Sequence, residues 1–349
     1  MYTSFIQGLG HFLPPREIDN AYLSQFMDTS DAWIQERTGI QTRRWVEKGD
    51  GWTSATMGFE AAKMAIEHAG ISKSEIDHIV FATISPDYYF PGNGVLVQEM
   101  LGLDTVGATD VRNACSGFVY ALSIANAFIQ SGQYKTVLVI GAELQSPVLD
   151  LSDAGRHVSV IFGDGAGAAV LGRAPEGHSG IQSVHLHAQG KHAVELSMQG
   201  PSAIHWLDEI AATHGDPSIF APHMNGHFIF KNAVVRFMEV IQEALAATGK
   251  SPSDIDCLVP HQANLRIAQY IQAKMGLRDD QVYNNIQRYG NTTGASIPIA
   301  FSEAVRDGSI QRGDTVCLAA FGAGFTWASA LLTLKNPWPL SQRGVTWSG

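Results

Sequence analysis

Basic residues are scarce in this chain: 23 lysines and arginines stand against 33 aspartates and glutamates in 349 residues, a formal net charge of −10. Nucleic-acid binding draws on counterion release from a positive surface, so this composition excludes it as a general property. A local basic patch facing an acidic partner stays compatible with it. Cysteine is scarcer still. Cys115, Cys257 and Cys317 are odd in number and far apart, which excludes a disulfide framework and a CxxC metal site and fits reduced thiols. No run of about 18 apolar residues is present to span a bilayer. The N-terminal MYTSFIQGLG carries no basic segment ahead of an apolar one, so a cytoplasmic protein with no membrane partner is predicted.

Hydrophobic residues are plentiful, at 45% of the chain, enough for one large core or two halves of ordinary domain size. The chain repeats itself. Laying AAKMAIEHAGISKSEIDHIVFAT (61 to 83) over VIQEALAATGKSPSDIDCLVPHQ (240 to 262) puts Gly70 on Gly249, Ile76 on Ile255 and Asp77 on Asp256. The same offset of 179 positions later brings Thr136-Val137 onto Thr315-Val316. Each copy reads as a helix, a glycine stop, a polar turn and a short apolar strand, which is α/β architecture. The first helix is expected to end at Gly70 with a strand over about His78 to Ile84. The long helix of the second half is expected over about Phe228 to Thr248, where Phe230, Val234, Phe237, Ile241 and Leu245 step by three and four.

DVRNACSGFVYAL (110 to 122) places a cysteine at what reads as the first turn of a helix. There the helix dipole and unpaired amides are expected to lower the thiol pKa and make Cys115 a nucleophile. Small neighbours, Ala114, Ser116 and Gly117, leave room for a carbonyl whose oxyanion the amides can bind. Taken alone, Cys115 reads equally as a small buried hydrophobe, His261 as a satisfied core or surface histidine and Asn291 as a turn residue. Together they are informative: His261 ends the strand DCLVPHQ, Asn291 precedes the turn of YGNTTGAS that overlies the Cys115 turn, and all three sit where open α/β folds collect their reactive groups.

DTSDAWIQERTGI, FPGNG, NACSGF, IFGDGAGAAVL, VPHQANLRI, GNTTGAS and FGAGFTW together resemble the β-ketoacyl-acyl carrier protein synthase III enzymes over Met1 to about Leu334. The resemblance implies the thiolase fold: two pseudo-duplicated α/β halves, 1–175 carrying the cysteine and 176–334 carrying the histidine and asparagine, layered αβαβα. The tail 335–349 lies beyond the family pattern and has no assigned role. By the same resemblance Cys115 takes an acyl group from coenzyme A, and the acyl-enzyme is attacked by a carbanion made by decarboxylating malonyl-ACP. His261 and Asn291 would hold the malonyl thioester oxygen. The amides of Cys115 and Ala323 would form the oxyanion pocket; many relatives carry glycine where Ala323 stands.

The resemblance further implies that Trp33 and Arg156 bracket the adenine of coenzyme A, with Arg37 a further contact, Gly226-His227 replacing the family's Gly-Asn, and Phe321 an aromatic beside the cysteine. Read alone, Trp33 fits a core anchor and Arg37 a solvated charge. Lys231 and Arg266 would meet the acidic acyl carrier protein at the tunnel mouth; a solvated helix face is the other reading of both. Phe90 would cross a homodimer interface to cap the partner's acyl pocket, flanked here by Tyr88 and Tyr89. Coenzyme A thioester enters as substrate, and no cofactor or metal is implied.

GDGAGAA (163 to 169) lacks the GxGxxG and GK[ST] spacings of phosphate loops and is read as a tight turn between close-packed strands. His185 and His187, with His192, imitate a metal site without an acidic or cysteine ligand beside them. Thiolases use a second cysteine immediately before the Phe-Gly of the FGAG turn; Ala320 stands there and Cys317 comes too early, which favours decarboxylative condensation over thiolysis. Other readings are a paralogue taking longer acyl chains or serving a secondary-metabolite pathway, a catalytically silent partner subunit, and a cysteine hydrolase. The intact Cys115, His261 and Asn291 speak against the silent subunit, and no papain-like sequence surrounds Cys115.

Overall fold

Runs such as TVLVIGAE and TVCLAAFG are apolar throughout rather than alternating, the mark of strands covered on both faces. The structure, a computed structural model, describes residues 1–175, 179–200 and 221–334 and bears this out. Five longer strands, β1 (Ser4–Phe12), β2 (His78–Ala82), β3 (Gly107–Val111), β4 (Thr136–Glu143) and β5 (Gly165–Arg173), form a sheet in the order β1-β5-β4-β2-β3. Four more, β6 (Ile181–Ala188), β7 (Cys257–Pro260), β8 (Thr315–Gly322) and β9 (Thr326–Thr333), form a second sheet in the order β7-β8-β9-β6.

The second sheet repeats the first strand for strand, with β2 and β4 parallel as β7 and β8 are. It omits only a counterpart of β3, where a single parallel bridge, Leu258 to Val282, stands instead. Helices α1 (Asp31–Thr38), α2 (Ser54–Ala69), α3 (Asn93–Met100), α4 (Gly117–Ser131), α5 (Gly226–Thr248), α6 (Leu265–Met275) and α7 (Ser296–Arg306) complete the frame. The two repeat helices, α2 and α5, stop at Gly70 and Gly249, each with φ +67°, a left-handed turn that glycine enters without steric cost.

Apolar faces set the layering. Phe118, Leu122 and Ile129 of α4 and Ile297 and Phe301 of α7 fill the space between the sheets, packed on Val80 and Val139 from one and Leu318 and Ala330 from the other. Met57, Ala61 and Ile66 of α2 cover the outer face of the first sheet. Phe237 and Ile241 of α5 with Ile271 of α6 cover that of the second. Helix, sheet, helix, sheet, helix is the thiolase arrangement expected from the sequence.

Two readings need correction. GDGAGAA is not a turn: from Gly165 it is β5, fully buried and antiparallel to both β1 and β4. Its glycines admit α7, since a Cβ on Gly167 would lie 2.7 Å from the backbone of Pro298 and Ile299. The first-half strand ends at Ala82 rather than Ile84. The tail 335–349 lies outside the described residues, as do 201–220.

Candidate active site

Cys115 sits in the turn Ala114–Ser116 that runs straight into α4. It is 7% exposed, pressed against β8 where Gly322 has no side chain; a Cβ there would lie 2.6 Å from that of Cys115. The backbone N–H groups of Ala323 and of Cys115 itself face its sulfur and favour the thiolate. These are the two amides the sequence singled out for an oxyanion. The expected drop in thiol pKa is not found. Burial, with the charge of Glu143 adding to it, pushes the thiol up to about 12, and the amide donors only partly offset this. A helix start stabilises a thiolate, but desolvation inside the protein outweighs it here.

His261 follows the last residue of β7 and is tied down by its N–H to Ala319 O at 2.8 Å. Its Nδ1 lies 2.6 Å from Ser296 Oγ, while Nε2 has no hydrogen-bond partner among the described residues. Burial lowers its pKa to about 3, so the ring is neutral. Asn291 is fixed by its backbone to Ile161 and Gly163 and by its Oδ1, which accepts from Thr293 N–H at 2.8 Å. That leaves the amide NH₂ for a ligand. Cys115, His261 and Asn291, drawn from both halves, line one cavity of about 760 Å³ together with Phe321 and Gly322.

Trp33, Arg37 and Arg266 also line this cavity, together with Gly226 and His227 at the start of α5. The guanidinium groups of Arg37 and Arg156 lie 4.4 and 5.4 Å from the Trp33 ring centroid. Arg156 is further held by Asp28, donating to its backbone oxygen at 2.6 Å. A planar base therefore enters between Trp33 and Arg156 only if one of them moves. Arg266 stands over the Phe230 ring at 5.9 Å, and Lys231 is exposed on the next residue of α5. Phe321 packs on Phe325 at 4.8 Å.

A second cavity, of about 620 Å³, also reaches Cys115 and is lined by Ile84, Tyr89, Ala114, Leu144 and Val148. Phe90 is 80% exposed, with Tyr88 and Tyr89 beside it also exposed. Of the suspected histidine cluster, His185 and His187 bond to Glu243 at 3.2 and 2.6 Å, whereas His192 packs on Phe228 and Phe325. No group of three or more His, Cys, Asp or Glu among the described residues is set to hold a metal. Likewise no described helix is long and apolar enough to cross a membrane. Cys317 is buried in the core beneath α5, away from the cavity.

Glu143 escaped the sequence reading. It is fully buried at the end of β4, accepts from Ser85 Oγ at 2.7 Å and from the N–H groups of Ile84 and Gly294, and burial raises its pKa to about 7. A signal was available: under the 179-residue offset it falls on Gly322, so an acid closes in one half the space the thiol occupies in the other.

Family models described as 3-oxoacyl-[acyl-carrier-protein (ACP)] synthase III and as its C-terminal part match residues 109–190 and 245–334. The β-ketoacyl-[acyl-carrier-protein] synthase III of Rhodospirillum centenum is 46% identical over 334 residues, spanning 94% of this chain and 98% of its own. That of Yersinia enterocolitica is 45% identical over 336 residues, at 95% and 99%. Among solved structures, 3-oxoacyl-[acyl-carrier-protein] synthase III from Aquifex aeolicus is 40% identical with a TM-score of 0.86, over 95% of this chain and 99% of that one. The priming β-ketosynthase of the R1128 polyketide pathway has a TM-score of 0.86 at 35% identity, over 96% and 98%.

Proposed function

The chain belongs to the β-ketoacyl-acyl carrier protein synthase III family, and from that premise we propose which of its residues carry the reaction. The protein is an acyltransferase that condenses an acyl-CoA primer with malonyl-ACP, giving a β-ketoacyl-ACP, carbon dioxide and coenzyme A, the step that initiates fatty acid synthesis. The observation that carries the assignment of roles is the meeting of Cys115, His261 and Asn291 in one cavity, with the Ala323 and Cys115 amides at the sulfur.

Cys115 sulfur attacks the acyl-CoA carbonyl; the oxygen gains charge against the two amides, the bond to coenzyme A sulfur breaks, and the thiol proton ends on that sulfur. His261 and Asn291 then donate to the thioester oxygen of the malonyl group. The C–CO₂ bond breaks, its electron pair forms the enolate those donors stabilise, and the carbanion attacks the acyl carbon on Cys115. Collapse of the tetrahedral adduct expels the Cys115 thiolate, which takes up a proton from solvent to restore the thiol. No metal and no strong base enters this scheme.

The first cavity takes the pantetheine arm, with Trp33, Arg37 and Arg156 at the nucleotide end, and the second takes the acyl chain. Arg266 in the lining of that first cavity and the exposed Lys231, which follows the lining residue Phe230, are cations on a chain of net charge −10 and suit an acidic carrier protein. A homodimer is supported by β3, which among the described residues is the edge strand of its sheet, and by the exposed Tyr88, Tyr89, Phe90 and Val95. In it, Phe90 closes the acyl cavity of the partner subunit, and half 1–175 supplies the nucleophile while half 176–334 supplies the donors. We place the reaction in the cytoplasm. The size of the second cavity favours a second reading, the same chemistry on longer primers. Incubation with acetyl-CoA and malonyl-ACP tests the proposal: acetoacetyl-ACP and carbon dioxide in equal amounts support it, and their absence from an acylated protein removes the assigned donors.

A further inference from the structure

Ser296 opens α7 and is 1% exposed. Among the described residues its hydroxyl oxygen has two partners, His261 Nδ1 at 2.6 Å and the backbone N–H of Gln262 at 3.4 Å. An N–H only donates, so the one acceptor within reach of the Ser296 hydrogen is the lone pair of His261 Nδ1. We propose that Ser296 is a positioning residue that holds His261 with Nδ1 bare and Nε2 protonated, so that the nitrogen facing the cavity is a hydrogen-bond donor.

The opposite tautomer would donate from Nδ1 to Ser296 Oγ. The serine hydrogen would then be buried with no acceptor, a cost a folded interior rarely carries. The doubly protonated ring is removed by burial, which keeps His261 neutral down to about pH 3. The duplication sharpens the point. Positions equivalent to Ser296 and His261 in the first half are Gly117 and Ala82, and they too lie side by side: a Cβ on Gly117 would sit 3.3 Å from that of Ala82. The same contact exists twice in the fold, and only the half that supplies the donors fills it with a hydroxyl and an imidazole.

A protonated Nε2 beside the Asn291 amide presents two donors and no acceptor. That suits stabilisation of an enolate oxygen and leaves His261 no lone pair toward the cavity with which to take a proton. This catalytic consequence rests on the proposed function; the tautomer does not. The test is a ¹⁵N spectrum of histidine-labelled full-length protein at neutral pH, with the His261 signals identified by their loss in His261→Ala. A protonated Nε2 and an unprotonated Nδ1 are expected; the reverse pattern overturns the proposal. In Ser296→Ala the kcat of malonyl-thioester decarboxylation should fall by about 5- to 150-fold, with KM and self-acylation by acyl-CoA the less affected quantities. Equal loss in both half-reactions, or none in decarboxylation, overturns the positioning role. A wild type that never decarboxylates malonyl-ACP refutes the function instead, and the spectrum still decides for Ser296.

Discussion

Ala114 and Thr293, the described non-glycine residues with positive φ, at +46° and +48°, stand 179 positions apart at the same place in the two halves. Each bends the chain into the short turn that starts a central helix, so that Cys115 in one half and Gly294 in the other face the middle of the molecule. A side chain in this region costs about 1 to 2 kcal/mol, and it is held here by the packed core on either side. Strain at the residue before the nucleophile fixes where the sulfur stands.

Replacing Ala114 by glycine should therefore be tolerated. The relief of that strain offsets the roughly 0.5 to 1 kcal/mol of extra chain entropy that glycine loses on folding. A urea midpoint unchanged or raised in Ala114→Gly is expected, and a loss of more than about 1 kcal/mol would mean that the backbone is not strained there.

The pKa of Cys115, raised to about 12 by burial, sets how the free enzyme reacts. Only the thiolate alkylates, and far below its pKa the thiolate fraction grows about tenfold per pH unit. Iodoacetamide labelling of Cys115 without substrate should thus climb throughout the neutral to mildly alkaline range. A plateau reached below about pH 8 would restore the low-pKa thiol that its place at a helix start suggests.

His261→Ala and Asn291→Ala should separate the half-reactions. Loss of one donor to an oxyanion costs roughly 10²- to 10³-fold, and that loss is expected in decarboxylation of malonyl-ACP rather than in self-acylation by acyl-CoA. If both half-reactions fall equally, the two residues serve the thiol and not the enolate.

Phe90→Ala should move the primer cutoff to longer chains. Each methylene that fits gains about 0.8 kcal/mol by leaving water, and the first that clashes costs about 1 to 3 kcal/mol, so the wild-type profile rises and then stops. Occupancy of Cys115 across a ladder of acyl-CoAs, read by mass, checks this. An unchanged ladder places the wall elsewhere, with the segment 195–220, partly outside the described residues, the next candidate.

What the sequence exposes here is what repetition and residue type can carry. The offset that aligns Gly70 with Gly249 also predicts the two sheets, and polar residues at strand ends and strand-to-helix turns single out Cys115, His261 and Asn291. Whatever depends on depth was hidden. Cys115 reads as an activated thiol because a helix start is visible in sequence while the desolvation that overrides it is not. GDGAGAA reads as a turn because glycine marks both turns and close approach, and only α7 packed on Gly167 distinguishes them. Ser296 and Glu143 act through neighbours 35 and 151 residues away, contacts that the fold alone creates.

Intact-mass measurement after incubation with acyl-CoA decides whether Cys115 carries the acyl group. One stable acyl adduct per chain, mapped to Cys115 and absent from Cys115→Ala with its fold retained, is the predicted result. An adduct that persists in Cys115→Ala on Cys257 or Cys317, or a wild type that releases free acid without accumulating any adduct, would contradict it.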